Sequence, residues 1–166
     1  MAVGVIGIAC TKAHADSPES ADMLKADRLL NFLKFVVWPS AVQTEPLGVC
    51  FLGAEAVQNA FERDLSQKHV GLHPLKAHAV EEESGLQNCQ VLYIDATWRA
   101  ANPARREPLL RQMLTVSDSV GFTEHGGMIG ITVVGDHLRF TVNVENFRRA
   151  GLRVSSSLLE VATIRR

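Results

Sequence analysis

The sequence predicts a single α/β domain: a mixed β-sheet flanked by helices, with an antiparallel pair of strands near the C-terminus. Three observations predict it. Short apolar runs at 47–52, 89–95 and 113–116 have the length and composition of strands buried on both faces, the usual state of a parallel sheet. Segments with helical spacing alternate with these runs, the order expected of an α/β domain. At 128–144 two strand-like runs are joined by the short connection Gly135-Asp136-His137, which has hairpin length.

The elements follow in order. Between Asp22 and Trp38, Ala26, Leu29, Leu30, Leu33, Val36 and Val37 recur at i, i+3, i+4 and i+7, which makes one apolar stripe on a helix. Phe32 and Phe35 widen it, and Lys25, Arg28, Asn31 and Lys34 fall on the opposite, solvent side. Pro39 ends the helix by disfavouring α geometry at Trp38. Leu47–Leu52 is a buried strand between Pro46 and Gly53. Ala54–Leu65 suits a helix with Val57, Ala60, Phe61 and Leu65 on one side. Leu72–Val80 is a strand that Pro74 assigns to an edge. Residues 81–88 form a polar connector or short helix, and Cys89–Asp95 forms the next strand. Pro103–Arg111 is a helix interrupted at Pro108, and Met113–Val116 is a third buried strand. Met128–Val134 and Leu138–Val144 form the antiparallel pair, Phe147–Ala150 a helical turn, and Ser155–Ile164 a closing helix.

Composition narrows the function classes. The chain has 166 residues, enough for one domain with a self-sufficient core. Its 46% hydrophobic and 21% charged residues exclude wholesale disorder. A net charge of −1 argues against a dedicated nucleic-acid binder, which carries a basic surplus to neutralise phosphates. No apolar run reaches the roughly 18 residues of a membrane span.

Cys10, Cys50 and Cys89 make an odd cysteine count. The N-terminus accounts for it. Ala2–Cys10 is an apolar run, followed by Ala13-His14-Ala15 and then by acidic residues, which is a secretory signal pattern without a basic n-region. Residues 1–15 are therefore expected to be a signal peptide and residues 16–166 the mature domain, which keeps Cys50 and Cys89. The alternatives are a buried first strand at Val3–Ile8, or a lipoprotein acylated at Cys10, against which Gly7 counts. The expected compartment is the bacterial periplasm, where disulfides persist.

Few constellations carry chemistry. Cys50 and Cys89 fall in neighbouring apolar strands, close enough for a bridge; two buried free thiols are the alternative. Such a bridge would contribute up to about 4 kcal/mol in the chain-entropy account. His69 and His73 would share a helix face, but Pro74 and the strand pattern oppose a helix, so no metal is expected. Ser117, Asp118 and His125 lack a nucleophile elbow. Ser117-Asp118 is instead a turn or cap bonding nearby backbone. Gly126-Gly127 is a turn or bulge, and neither a dinucleotide fingerprint nor a phosphate loop occurs, so no cofactor is expected. Arg99, Arg105 and Arg106 form one basic cluster, and Arg148, Arg149 and Arg153 another. Each is either a contact for an anionic ligand or acidic partner, or a solvated face. Trp38 with Phe35 is either core or a partner anchor.

Taken in order, the blocks N-F-L-K-F-V-V-W-P at 31–39, L-G-V-C-F-L-G at 47–53, C-Q-V-L-Y-I at 89–94, L-T-V-S-D at 114–118, G-G-M-I at 126–129, R-F-T-V-N-V at 139–144 and A-G-L-R-V-S-S-S-L-L at 150–159 resemble the YfiR-like family of periplasmic regulators. The resemblance implies a non-catalytic, dimeric periplasmic protein that binds the periplasmic part of an inner-membrane diguanylate cyclase and holds it inactive. Release would raise cyclic di-GMP and promote biofilm formation. The resemblance also matches Cys50 and Cys89 to the family's disulfide, through which redox state influences folding and repression. Some members carry a second disulfide near the G-G-M-I block, where this chain has no cysteine. A periplasmic small-ligand sensor using the arginine clusters is the competing reading.

Overall fold

The structure is a computed structural model that describes residues 18–39, 46–63, 69–81, 83–101, 113–134 and 137–165. The expected signal peptide, the 103–111 helix and residues 135 and 136 of the short connection lie outside these residues.

The N-terminal stripe forms α1 (Pro18–Lys34), which is followed by the two-residue strand β1 (Val36–Val37). Next come β2 (Leu47–Leu52), α2 (Glu55–Glu62), β3 (His69–Val70) and β4 (His73–Val80). A 3₁₀ segment at Glu83–Asn88 leads into β5 (Val91–Ile94), α3 (Ala96–Ala101) and β6 (Leu114–Ser117). A 3₁₀ turn at Phe122–His125 precedes β7 (Ile129–Val134) and β8 (His137–Asn143). The chain finishes with α4 (Val144–Arg149), β9 (Arg153–Val154), α5 (Ser156–Val161) and β10 (Thr163–Arg165).

Eight strands form one mixed sheet in the order β10-β8-β7-β6-β5-β2-β4-β3. Strands β4, β2, β5, β6 and β7 run parallel; β8 is antiparallel to β7, and β3 to β4. Every residue of β2, β5 and β6 is buried, which explains their unbroken apolar runs. One face packs Val49, Phe51, Val91, Tyr93, Leu114 and Val116 under Leu29, Phe32 and Leu33 of α1 and Val57 and Phe61 of α2. The other face carries a smaller cluster, with Cys50, Leu52, Leu92 and Ile94 against Cys89, Val80 and Phe122.

The predicted α/β class holds, and so do the strands at 47–52, 128–134 and 138–144 to within a residue or so. Six assignments change. First, α1 ends at Lys34, not Trp38. The β-branched Val36 and Val37 instead pair antiparallel with Val154 and Arg153, and the Ser155 amide donates to the Phe35 carbonyl at 2.9 Å. Second, the closing helix stops at Val161. Thr163–Arg165 leaves it to pair in parallel with Thr141–Asn143, covering the outer edge of β8. Third, Cys89 precedes its strand: its amide closes the 3₁₀ segment on the Leu86 carbonyl. Fourth, α4 starts at Val144, because the Asn143 side chain accepts from the Asn146 amide at 3.1 Å and caps it. Fifth, α3 had no apolar stripe to announce it. Its first amide is instead held by the side chain of Asp118, in the loop just after β6. Sixth, the strand that carries Pro74 is not the edge expected of it: β3 takes the outermost place in the sheet and pairs with His73 and Pro74, while Leu75–Val80 pair with β2.

Phe61 is fully buried against Phe51, with ring centroids 5.4 Å apart, whereas Leu72 at the β3–β4 turn is 96% exposed. Phe61→Ala should therefore cost about 3–5 kcal/mol in urea unfolding. Leu72→Ala should change stability by less than about 0.5 kcal/mol.

Candidate functional site

Three neighbourhoods contain the side chains that chemistry or binding could use. The first is the cysteine pair. Cys50 and Cys89 are joined by a disulfide, with Cα atoms 5.7 Å apart. The close approach depends on Gly48, two residues before Cys50. The Gly48 amide donates to Gln90 Oε1 at 2.7 Å, and the Gln90 amide donates to the Gly48 carbonyl at 2.9 Å. A Cβ on Gly48 would overlap the Asn88 carbonyl oxygen. Glycine here lets residues 88–90 lie directly on β2, and this brings Cys89 beside Cys50. Both cysteines are buried.

The second is a groove of about 490 Å³ between α4, α5 and β10. Val144, Leu159 and Ile164 supply apolar walls, and Arg148, Arg149 and Glu145 a charged rim. Glu145 lies 3.3 Å from Arg149 Nε and 3.8 Å from Arg148 Nη1. One carboxylate thus faces two guanidinium groups, both largely exposed, and the rim keeps a positive excess. Exposed pairs of this kind contribute at most about 1 kcal/mol, so the arginines can exchange Glu145 for an incoming anion at little cost.

The remaining arginines of the sequence analysis separate. Arg153 is exposed on β9 and is not among the residues that line the groove. Arg99, on α3, lies over the Phe122 ring with Cζ 4.9 Å from the centroid, a cation–π contact. Arg105 and Arg106 lie outside the described residues. The fold thus brings Arg148 and Arg149 together and places Arg99 and Arg153 elsewhere. The Glu145–Arg149 and Glu145–Arg148 spacings, i+4 and i+3 on one short helix, were a usable signal for this rim. Leu159 and Ile164 had none, because they arrive from α5 and from a strand read as helix.

The third neighbourhood is the carboxyl end of β5 and β6. It adjoins the point between β2 and β5 where the chain turns in opposite directions, a place where α/β sheets often bind ligands. Asp118, expected to bond nearby backbone, instead reaches across elements. Its Oδ2 is 2.7 Å from Lys25 Nζ on α1, and its Oδ1 accepts from the Ala96 amide of α3 at 3.0 Å. Lys25 is correspondingly drawn in from the solvent face assigned to it and also meets Asp22 at 3.3 Å. Burial pulls the Lys25 ammonium down, but the hydrogen bonds and charges of Asp118 and Asp22 more than offset it, so its pKa is raised above 10.5. Tyr93 is fully buried beneath, its hydroxyl without a hydrogen-bond partner among the described residues. Burial pushes that phenol far above its usual range, and the negative charges of Asp118, Asp95 and Asp22 add to the effect.

Other candidates resolve into local roles. Ser117 Oγ accepts from the Ser119 amide at 3.0 Å, as a turn-forming serine does, and His125 Nδ1 lies 2.8 Å from the Gly121 carbonyl. With Asp118 committed to Lys25 and Ala96, these three side chains are each engaged elsewhere. His69 and His73 lie on the β3–β4 hairpin, and among the described residues no group of three or more His, Cys, Asp and Glu side chains is placed to hold a metal ion. Among the described residues, no helix is long and apolar enough to cross a membrane.

A family model described as YfiR/HmsC-like matches residues 22–163, and the chain belongs to that family. No curated protein matches it.

Three substitutions test these arrangements. Gly48→Ala should push residues 88–90 off β2, so that a thiol assay on the folded, air-oxidised protein finds a fraction of Cys50 and Cys89 free. Asp118→Asn should cost about 1–3 kcal/mol by leaving Lys25 half-paired. Because the Lys25 pKa is raised on folding, its contribution is complete below about pH 10.5 and is lost as pH rises through the folded value. The stability gap between the native protein and Lys25→Met should therefore be constant near neutral pH and shrink above about pH 10.5 in urea titrations.

Proposed function

We propose that this chain is a periplasmic regulator of diguanylate cyclase signalling that binds the periplasmic domain of an inner-membrane diguanylate cyclase and holds it inactive. Cyclic di-GMP and biofilm formation fall as a result. The observation that carries this reading is the family match across residues 22–163, which spans α1 to the first residue of β10. In this reading residues 1–15 are a cleaved signal peptide, residues 16–166 are the working domain, and the protein acts as a homodimer without cofactor or catalysis.

The contact with the partner is assigned to Arg148 and Arg149 on the rim of the groove, with Arg153 of the same sequence cluster outside it on β9. Arg99, Arg105 and Arg106 form a secondary candidate patch. Exposed guanidinium groups around an apolar floor suit an acidic surface carrying one or two apolar side chains. Control follows from linkage. A partner that binds only the folded, oxidised state loses its repressor when that state is depopulated. Removing the Cys50–Cys89 bridge restores chain entropy to the unfolded state and favours it.

The groove also supports a second reading, a sensor for a small periplasmic ligand. A cavity of about 490 Å³ with apolar walls and two guanidinium groups has the size and chemistry to take a small anion with an apolar body.

The deciding experiment is capture from solubilised membranes with purified residues 16–166, with and without a dithiol reductant. A membrane diguanylate cyclase should be recovered under oxidising conditions and lost on reduction. Recovery of none under either condition overturns the first reading. Arg148→Glu combined with Arg149→Glu should lower capture by at least about tenfold, and unchanged capture would move the contact elsewhere. Cys50→Ser should lower stability by about 2–4 kcal/mol and weaken repression in parallel.

A further inference from the structure

We propose that the cavity between β4 and residues 88–90 binds a small oxyanion, a carboxylate or a phosphate, with Lys76 as its charged anchor and Gln90 as its fixed donor. The site is separate from the arginine-rimmed groove and does not depend on the reading of that groove.

Its walls follow from the register of the sheet. Lys76 lies opposite Gly48 and His78 opposite Cys50, so both side chains stand on the sheet face away from α1 and α2. Residues 88–90 cross the same face of β2, where Gly48 has no side chain to hold them off. Between the two lies a cavity of about 310 Å³, with Pro46 at the amino end of β2 completing its lining. This is the small end of the range of ligand cavities, roughly 300–1,000 Å³, so the ligand has few heavy atoms.

The donor set decides the charge of that ligand. Gln90 is anchored by three hydrogen bonds: the Gly48 amide donates to its Oε1 at 2.7 Å, its own amide donates to the Gly48 carbonyl at 2.9 Å, and the Leu114 amide donates to its carbonyl at 2.9 Å. A backbone amide can only donate, so the side-chain atom that faces Gly48 is the oxygen. Nε2 is then the polar atom Gln90 has left to offer, and it has no hydrogen-bond partner among the described residues. Fixed in advance, it loses little freedom when a ligand arrives. Lys76 and His78, roughly 7 Å apart along the strand, add an ammonium and an imidazole, and Asn88 adds a second carboxamide. Among the described residues no carboxylate lines the cavity and none pairs with Lys76. An oxyanion there gains charge-assisted hydrogen bonds.

The cavity of about 460 Å³ at the other end of β2 and β4 has the opposite character: Glu55 and Glu81 line it, with no cation among its described lining residues. The chain as a whole carries a net charge of only −1, so this local contrast directs an anion to the Lys76 end. Lys76 and His78 are exposed, which keeps the affinity modest, with a dissociation constant of about 1 mM.

Amide NMR of the purified protein, titrated with inorganic phosphate and separately with acetate at constant ionic strength, tests this. The side-chain amides of Gln90 and Asn88 and the backbone amides of Lys76 and His78 should shift saturably. Saturation by either ion supports the site and identifies the group it recognises; saturation by neither overturns it. Lys76→Gln, an exposed change, should weaken binding at least about fivefold. Gln90→Glu keeps an oxygen for the Gly48 amide and replaces the donor by a second oxygen, so saturation should disappear. Arg148→Glu combined with Arg149→Glu should leave the affinity within about twofold, because distant sites act independently. Shifts confined to Arg148 and Arg149, or binding by Lys76→Gln as tight as that of the native protein, would each overturn the proposal.

Discussion

The placement of β2 between β4 and β5 is the constraint on which the rest of the molecule depends. Its six residues are buried on both faces, and it sets two registers of the parallel sheet: Leu47–Leu52 against Leu75–Val80 on one side, Val49–Leu52 against Val91–Ile94 on the other. Alternation then divides its side chains. Val49 and Phe51 enter the core beneath α1 and α2, while Cys50 and Leu52 enter the cluster on the opposite face. Gly48 lets residues 88–90 lie against the same strand and so makes a cross-link between positions 39 apart in sequence geometrically available. A one-residue slip would exchange the two faces and bury neither correctly.

The two faces are stabilised differently. The larger rests on apolar burial by α1 and α2 and carries one polar fastening, from Lys25 to Asp118 and on to the first amide of α3. The smaller is a modest cluster reinforced by a covalent bond and closed by Phe122. The C-terminal elements lie between these regimes. Strand β10 and helix α4 depend on hydrogen bonds to the Phe122 turn as well as on their own packing.

Much of the fold was readable from the sequence because its signals are local. Buried parallel strands must be short, apolar and bounded, and L-G-V-C-F-L and V-L-Y-I are both. The stripe from Ala26 to Leu33 admits one geometry, and the alternation in R-F-T-V-N-V another. The misread ends have a common cause. Val36–Val37 and Thr163–Arg165 continue a helical pattern in sequence, and β-branched residues tolerate helix at modest cost. What moved them into strands was a partner: Arg153–Val154 in one case and the uncovered edge of β8 in the other. The site was less readable for the same reason. Glu145, Arg148 and Arg149 are neighbours on one helix, but the walls that make them a groove come from Leu159 and Ile164.

The sequence by itself determined the α/β class, the strands of the buried sheet, the helix stripe, the candidate cysteine pair and the ordered blocks that mark the family. Each depends on periodicity or on residue type within a few positions. The tertiary structure alone decided where Lys25 and Asp118 point and which arginines share a surface. Those facts depend on contacts between residues distant in the chain, and such contacts exist only after the sheet has fixed its register.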